Sequence, residues 1–587
     1  MSDFIYSKNP IFKGKLTKEI QAIYHEEKPA ISEFHGSWGS LAVSYNIYNG
    51  FQPYETNEHV CIVLGGPVLC YQDNNFLTSD DEVAGARAIY NRWIAGTMQW
   101  DEDLSGPFAV LILNKSTSEI NCITDLMSFI PVFIYQDTSN MMLSTHVNAL
   151  AQASGQHNKI DIVSQVDFIL HGVVTFPFTT YTNLRQVAPA EVHSMLGDSK
   201  QSQSNAYWVP KEKFQYKSID QAAMNLRDGL QNYIDAIVKG MPHLAQFISG
   251  GEDSRTLSGL LPKECNRDAF IFLDGMNREG KVAKKAANAY GVNFNMSTRS
   301  KIHYLEILPC ADLVGKGSQY IHAHTFGFHK SCKLNEYPAV FGGLFSDALL
   351  KGARIKKLRG LSRFPFLPQI KRRNYSAATP LKNDSFQLEV LEELTKRRQA
   401  HLKYVSSFRN ESAEEWFELW PSSMNMNIPN LHANRRLFKS YEPFLSKDVV
   451  KISASIPQKW KLNRRVFHKA AKPLLKPTKW LLHGEGRLPY FPWYINSFVQ
   501  FVTWTYRQVG SRSGIIKGNQ GPWGQWKVVM NSAEWDQAID KYSDGLNIMN
   551  SAFKEKDVKK LFEDDNLNYI QRVNLMQTLY MNHKKEN

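Results

Sequence analysis

The chain has 587 residues, 43% of them hydrophobic and 12% aromatic, which excludes a disordered chain and a single core and calls for two or three domains. No apolar run approaches the roughly 18 residues of a membrane helix, and MSDFIYSKNP has neither a basic n-region nor an apolar h-region, so a cytoplasmic protein with no membrane contact is expected. The net charge of +13 is concentrated in two acid-free windows, ten Lys/Arg in 348–383 and nine in 449–484; these suit phosphates, an acidic substrate or an acidic partner, and no recognisable nucleic-acid module accompanies them.

Six cysteines lack zinc-ligand spacing and are too few for a disulfide framework. Residues 38–160 read as strand-rich, with strands at 41–48, 60–64, 108–113, 121–125, 131–135 and 141–145. Helices fit 81–97 and 162–171. A polar hinge follows at 196–217. Ser218 is placed to cap a helix with Leu226, Leu230, Ile234 and Ile237 on one face.

Apolar residues from Leu244 then run into Phe247-Ile248-Ser249-Gly250-Gly251-Glu252-Asp253-Ser254-Arg255, and 256–261 reads as the first turns of a helix. A strand, a glycine pair and a helix N-terminus together make an anion site, because backbone N–H groups point outward and the helix dipole favours negative charge. Ser249 and Ser254 add hydroxyl donors. Asp253 only accepts, so its natural partner beside phosphate is Mg²⁺. The bland alternative is a tight strand-to-helix turn. Strand 269–273, a turn at Gly275, a helix carrying Ala283, Ala286, Ala287 and Tyr290, and strand 292–295 have the spacing of a doubly wound parallel sheet. A further strand, 339–341, runs into Gly342 and Gly343. The basic segment 351–382, with Pro365, Pro368 and Pro380, reads as a long loop or lid that grips an acidic substrate. Helices fit 385–405, 411–420 and 449–456, and 496–587 is mostly helical.

Loop 249–254 is not a Walker loop; it resembles the Ser-Gly-Gly-x-Asp-Ser loop of the PP-loop ATP pyrophosphatases. Upstream, Leu104/Gly106/Phe108/Ala109, Asp125/Pro131/Val132/Phe133, Ser144/Leu150 and segment 182–189 are similar, in order, to landmarks of the glutaminase-like domain of asparagine synthetases. Residues 342–347 resemble the second active-site loop of that superfamily. The resemblance spans about residues 35–495. It implies an α/β fold: a strand-rich layered Ntn-hydrolase-like αββα domain over 1–205, a doubly wound parallel-sheet PP-loop domain over 206–500, and a helical extension over 501–587. It also implies ATP and pyrophosphate against Ile248, Ser249, Gly250, Gly251, Asp253, Ser254, Gly342 and Gly343, adenine near Leu273 and Gly275, and Mg²⁺ shared by Asp253 and Asp347.

The departures from the family bear on function. Its glutaminase uses an N-terminal cysteine, whereas Ser2 stands here, a far poorer nucleophile. The family's second loop carries Tyr in β-lactam synthetases, where it helps deprotonate the amine, and Glu in asparagine synthetases; Leu344 stands here. In the segment resembling Arg-x-Pro-Phe-Leu-Asp, Glu442 takes the arginine's place and Ser446 the aspartate's. The family's Arg-x-Lys pair is absent from 478–487, leaving Lys479 and Arg487 as candidates for the catalytic cation. The pattern is closer to the β-lactam synthetases and lasso peptide cyclases, which lack the cysteine. The expected function is an ATP-dependent, AMP-forming ligase that adenylates a carboxylate and joins it to a substrate-borne amine. The partner is then an anionic small molecule or peptide, with a homodimer left open. The other readings are amidation by free ammonia or a partner glutaminase, and an ATP-binding pseudoenzyme or scaffold.

Overall fold

The computed structural model describes residues 2–25, 27–195, 202–358, 369–370, 379–512 and 518–583. The N-terminal part rests on period-two strands. In Phe4–Ser7, Phe4 and Tyr6 turn inward between two sheets while Ile5 turns out beneath helices. That strand sits inside a 6-stranded antiparallel sheet ordered Leu184–Gln186, Phe133–Gln136, Met141–Ser144, Phe4–Ser7, Gly39–Ser44, Ile31–Gly36. The facing 6-stranded sheet runs Ser202–Ala206, Glu191–Met195, Ile120–Thr124, Phe108–Asn114, His59–Gly65, Tyr54–Glu55. Leu41 and Val43 meet Val60, Ile62 and Leu111 in the core between them. Helices Lys15–Gln21 and Ile162–His171 cover the first sheet through Leu16, Ile20, Val166 and Ile169, and Ala84–Ile94 covers the second through Ala86 and Ile89. The layers are those expected from the sequence.

Two local expectations differ. Strand Phe4–Ser7 lies outside the span read as strand-rich, because four residues are too few to show alternation. The polar segment 196–217 is not all hinge: Ser202–Ala206 pairs with Glu191–Met195 as an edge strand. Composition alone does not separate an exposed edge from a linker; residues 196–201 lie outside the described residues.

The second unit begins with helix α1 (Ile219–Val238), capped as expected by Ser218, whose hydroxyl accepts from the Gln221 N–H. Five parallel strands follow: β1 (His243–Phe247), β2 (Asn266–Leu273), β3 (Asn293–Thr298), β4 (Val340–Phe341) and β5 (Ser440–Tyr441). Their order is β3-β2-β1-β4-β5. The chain leaves β1 toward one edge and returns at β4 toward the other, so a topological switch point lies between β1 and β4. In such sheets ligands bind there, outside the carboxyl ends. Helix α2 (Glu252–Leu260) starts four residues earlier than expected. Its first turn carries Glu252 and Asp253, acids that favour a helix N-terminus. Helix α3 (Arg278–Ala289) packs Ala283, Ala286 and Ala287 on β2.

The two units share buried contacts. Asp3 is fully buried; its carboxylate takes Arg436 Nη2 at 2.7 Å and Arg436 Nε at 2.8 Å, and Arg435 Nη2 at 3.2 Å. Burial opposes its ionisation, yet the Arg436 and Arg435 guanidiniums outweigh burial and hold the carboxyl well below the usual range. Helix Trp493–Arg512 runs through residues 500 and 501, so the chain has no break at that expected boundary. The helix α5 (Tyr569–His583) packs on Ile162–His171 of the N-terminal unit: Asn574 Nδ2 donates to the Phe168 and Ile169 carbonyls, and Gln165 Nε2 to Asn582 Oδ1 at 3.0 Å. Among the described residues, no helix is long and apolar enough to cross a membrane. Helix α4 (Ser346–Leu350) follows the second glycine loop. Most of the expected lid lies outside the described residues.

Candidate active site

The carboxyl ends of β1, β4 and β5 open on a cavity of about 260 Å³. Ile248, Ser249, Asp253, Ser254, Gly342 and Gly343 all line it, so the sheet brings the two glycine loops to one place although 93 residues separate Ser249 from Gly342. Leu273 and Gly275 do not line it. Phe270, Ile271 and Phe272 of β2 border the cavity, whereas Leu273 turns into the core beneath α3.

The first loop is held from within. The Ser249 N–H donates to Ser254 Oγ at 3.1 Å and the Gly251 N–H to Ser249 Oγ at 3.0 Å. The Gly250 N–H donates to Glu279 Oε1 at 2.6 Å, and a Cβ at Gly250 would stand 2.7 Å from Glu279 Oε2. Glycine is needed there for close approach, as the sequence suggested, but to a carboxylate of the protein. The N–H groups that remain for a ligand are those of the first turn of α2, which have no intrahelical acceptor. Segment 481–487 wraps the same loop: Arg255 donates to the Leu481, Leu482 and Gly250 carbonyls, and the Gly484 N–H to the Gly250 carbonyl.

Beside this loop lie three carboxylates and three cations. Lys351, 3% exposed, places its ammonium on Asp253, 2.8 Å from Asp347 Oδ1 and 3.4 Å from Glu252 Oε1. The Phe467 ring lies 4.6 Å from the same ammonium. Arg464 Nε is 2.7 Å and Arg487 Nη1 3.4 Å from Glu252 Oε1. Burial raises Glu252, but Lys351, Arg487 and Arg464 overcome it and hold the carboxyl well below its ordinary value. Burial pushes Asp253 up to about 6, opposed by Lys351 and reinforced by Asp347 and Glu252. Lys351 itself is raised: its burial is outweighed by Asp253, Glu252 and Asp347. The sequence expectation joined Asp253 and Asp347 through Mg²⁺. The structure does bring them together, but an ammonium stands between them. As placed, the pair does not fit a preformed metal site, and among the described residues no cluster of three or more His, Cys, Asp or Glu could hold a metal.

Of the two candidates for the catalytic cation, Arg487 is buried against Glu252 and His483 Nε2, the latter at 3.1 Å. Lys479 points instead to the Trp480 ring, 5.1 Å away, and neither of the two lines the cavity.

Sequence reading missed Lys351, Arg464 and the burial of Glu442. The signal for Lys351 was its position four residues after Asp347 on one helical turn. Glu442 follows β5 and is 1% exposed. Its Oε2 accepts from the Leu344 N–H at 2.9 Å and its Oε1 from Ser440 Oγ at 3.3 Å. A Cβ at Gly342 would run into the same carboxyl. Burial pushes Glu442 up to about 8, with the Leu344 and Ser440 hydrogen bonds opposing it. The far wall of the cavity is polar. Thr325 Oγ1 donates to Asn434 Oδ1 at 2.6 Å, Asn430 Nδ2 lies 3.2 Å from His324 Nε2, and Trp523 caps His324 edge-on. Burial pushes His324 down to about 4, so its imidazole is neutral.

In the N-terminal unit, Ser2 is fully buried. Its Oγ accepts from the Gly65 N–H at 2.9 Å, and its carbonyl accepts from Arg435 Nη1 at 2.6 Å.

Residues 41–208 match the family described as glutamine amidotransferase domain, so the N-terminal unit is similar to glutamine amidotransferase domains. No curated protein matches the chain. Among solved structures, the chain is similar to the glutamine phosphoribosylpyrophosphate amidotransferase of B. subtilis complexed with ADP and GMP, at 12% identity and a TM-score of 0.22. The similarity covers 50% of this chain and 65% of that one, so less than two thirds of that protein's length is spanned. The structure of the allosteric regulatory enzyme of purine biosynthesis is similar at 11% identity and a TM-score of 0.23, over 62% of this chain and 76% of that one. Similarity at this level leaves the activity to the residues of the cavity.

Proposed function

We propose that the chain is an ATP-dependent, AMP-forming amide-bond synthetase that uses an amine carried by its substrate. The observation that carries this reading is the meeting of loops 249–254 and 342–347 around one cavity at the switch point of a parallel sheet. ATP, as co-substrate, supplies activation of a carboxylate with release of pyrophosphate. The first-turn N–H groups of α2 and the Lys351, Arg464 and Arg487 cations are the chain's means of countering phosphate charge as it develops. Glu442 is the proton acceptor for the incoming amine. It lies on the backbone of Leu344, the position at which the side chain cannot act, and it accepts a proton in its ionised form, which gains population as pH rises toward about 8. The neutral His324, Asn430 and Asn434 orient the polar part of the acyl substrate.

Burial of Ser2 supports the absence of glutamine hydrolysis, because among the described residues neither an arranged base nor access to glutamine is found at its hydroxyl. The test is carboxylate-dependent ATP–pyrophosphate exchange across a library of carboxylates, with Asp253→Ala and Asp347→Ala as controls. Exchange with one carboxylate, lost in both variants, supports the reading and names half the substrate. Tight nucleotide binding with no exchange favours the second reading, an ATP-binding scaffold, which the internally satisfied N–H groups of Ser249, Gly250 and Gly251 support.

A further inference from the structure

The disagreement between the Asp253–Asp347 pair and a metal site has a direct consequence for cation binding. The Lys351 ammonium contacts both carboxylates, is 3% exposed, and is fixed on its other side by the Phe467 ring. It is also locked by sequence, since it follows Asp347 by one helical turn at the end of α4. Counting charges, Glu252, Asp253 and Asp347 are matched by Lys351, Arg464 and Arg487. These three acids and three cations balance, and Glu485 adds an exposed carboxylate 3.6 Å from Arg487 Nη2 at the solvent edge, away from the Lys351 ammonium's own contacts. A bare divalent ion would place two charges against a buried ammonium with only the exposed Glu485 carboxylate left at the edge of the cluster, at a separation where like charges repel strongly. A metal–polyphosphate complex adds net negative charge instead, and its oxygens give the ammonium a new acceptor when it leaves the aspartates.

We propose that Lys351 is the resident counter-cation of the Asp253–Asp347 pair, so that this site takes no divalent cation by itself and admits one only together with a nucleoside polyphosphate. Cation and nucleotide binding are then obligatorily coupled, each strengthening the other by the same factor. Only the nucleotide half of this inference rests on the function proposed above; the exclusion of the bare cation follows from the cluster alone.

The experiment is Mn²⁺ uptake by the full chain, read as loss of the free-ion electron paramagnetic resonance signal. Four arms are needed: Mn²⁺ alone, Mn²⁺ with the non-cleavable α,β-methylene-ATP, and Mn²⁺ alone with Lys351→Met or Lys351→Arg. The wild type and Lys351→Arg should leave the signal of Mn²⁺ alone unchanged, whereas Lys351→Met should bind Mn²⁺ at least about tenfold more tightly. Uptake of Mn²⁺ alone by the wild type, removed by Asp347→Asn, overturns the proposal. So does a Lys351→Met variant with an unchanged circular dichroism spectrum and no gain in uptake. If Lys351→Met does not fold, the wild-type arms decide. Uptake with α,β-methylene-ATP in excess of that by the same Mn²⁺ and nucleotide without protein supports the coupling. No such excess overturns the coupling and counts against the nucleotide site, while the Mn²⁺-alone arms still judge the role of Lys351.

Discussion

Replacing Glu442 by glutamine isolates the energetic consequence of placing a carboxyl at the end of β5. Glu442 is raised from its ordinary 4.5 to about 8, chiefly by burial. Between these values the folded chain keeps a proton that the unfolded chain has lost. Stability from this group is therefore fully present below pH about 4.5 and falls as pH rises, by up to about 1.4 kcal/mol per pH unit, levelling off above pH 8. Over the whole window the loss is on the order of 3–5 kcal/mol. Tyr48 and Tyr233, the ionisable neighbours that feel Glu442, are raised by burial and stay neutral throughout. The carboxamide introduced by Glu442→Gln matches the protonated carboxyl in shape and retains an oxygen to accept from the Leu344 N–H. The Glu442→Gln protein should thus melt near the wild type at pH 5 and progressively above it toward pH 8. Thermal unfolding of both proteins at pH 5, 6, 7 and 8 gives the comparison. Parallel curves would show that Glu442 is ionised already at low pH, and the argument from burial would fail together with its assignment as a base poised near neutrality.

Arg436→Met leaves the buried Asp3 carboxylate with Arg435 as its one guanidinium, beside the Tyr24 and Thr145 hydroxyls, and should cost about 3–5 kcal/mol, seen as a lowered melting temperature. Adding Asp3→Asn should recover part of that loss, because the uncompensated charge is then gone. Gly545→Ala drives a Cβ into the carbonyl oxygen of Leu579, a backbone atom that cannot step aside. The cost should be about 1–3 kcal/mol, with faster hydrogen exchange across Tyr569–His583.

The sequence made the layers and both glycine loops legible because their signals are local. A short unbroken apolar run marks 108–113, and a glycine pair after an apolar run marks 249–254 and 342–347. The meeting of Lys351 with Asp253 is not local. It requires β4 to lie beside β1, an order that strand patterns do not state. Glu442 was visible only as a mismatch to a family segment, since no pattern in its neighbours announces that β5 buries it. Gly250 shows a third limit. The need for a glycine was readable, whereas the group that comes close, Glu279, is fixed by where α3 begins. Likewise Phe272 rather than Leu273 faces the cavity, a one-residue difference that only the register of β2 decides.

The packing of α5 on Ile162–His171 sets a timetable for synthesis. Gln165 waits for Asn582, and Asp3 waits for Arg436, each several hundred residues downstream. At about 5–20 residues per second a ribosome needs roughly 20–80 s to make the intervening chain. During that interval the face of helix Ile162–His171 that meets α5, with Gln165 and the Phe168 and Ile169 carbonyls, has no cover, and a carboxylate destined for the interior has no guanidinium to meet it. The strands of the N-terminal unit's two sheets all lie before residue 207, but its final burial waits for residues about four hundred positions later.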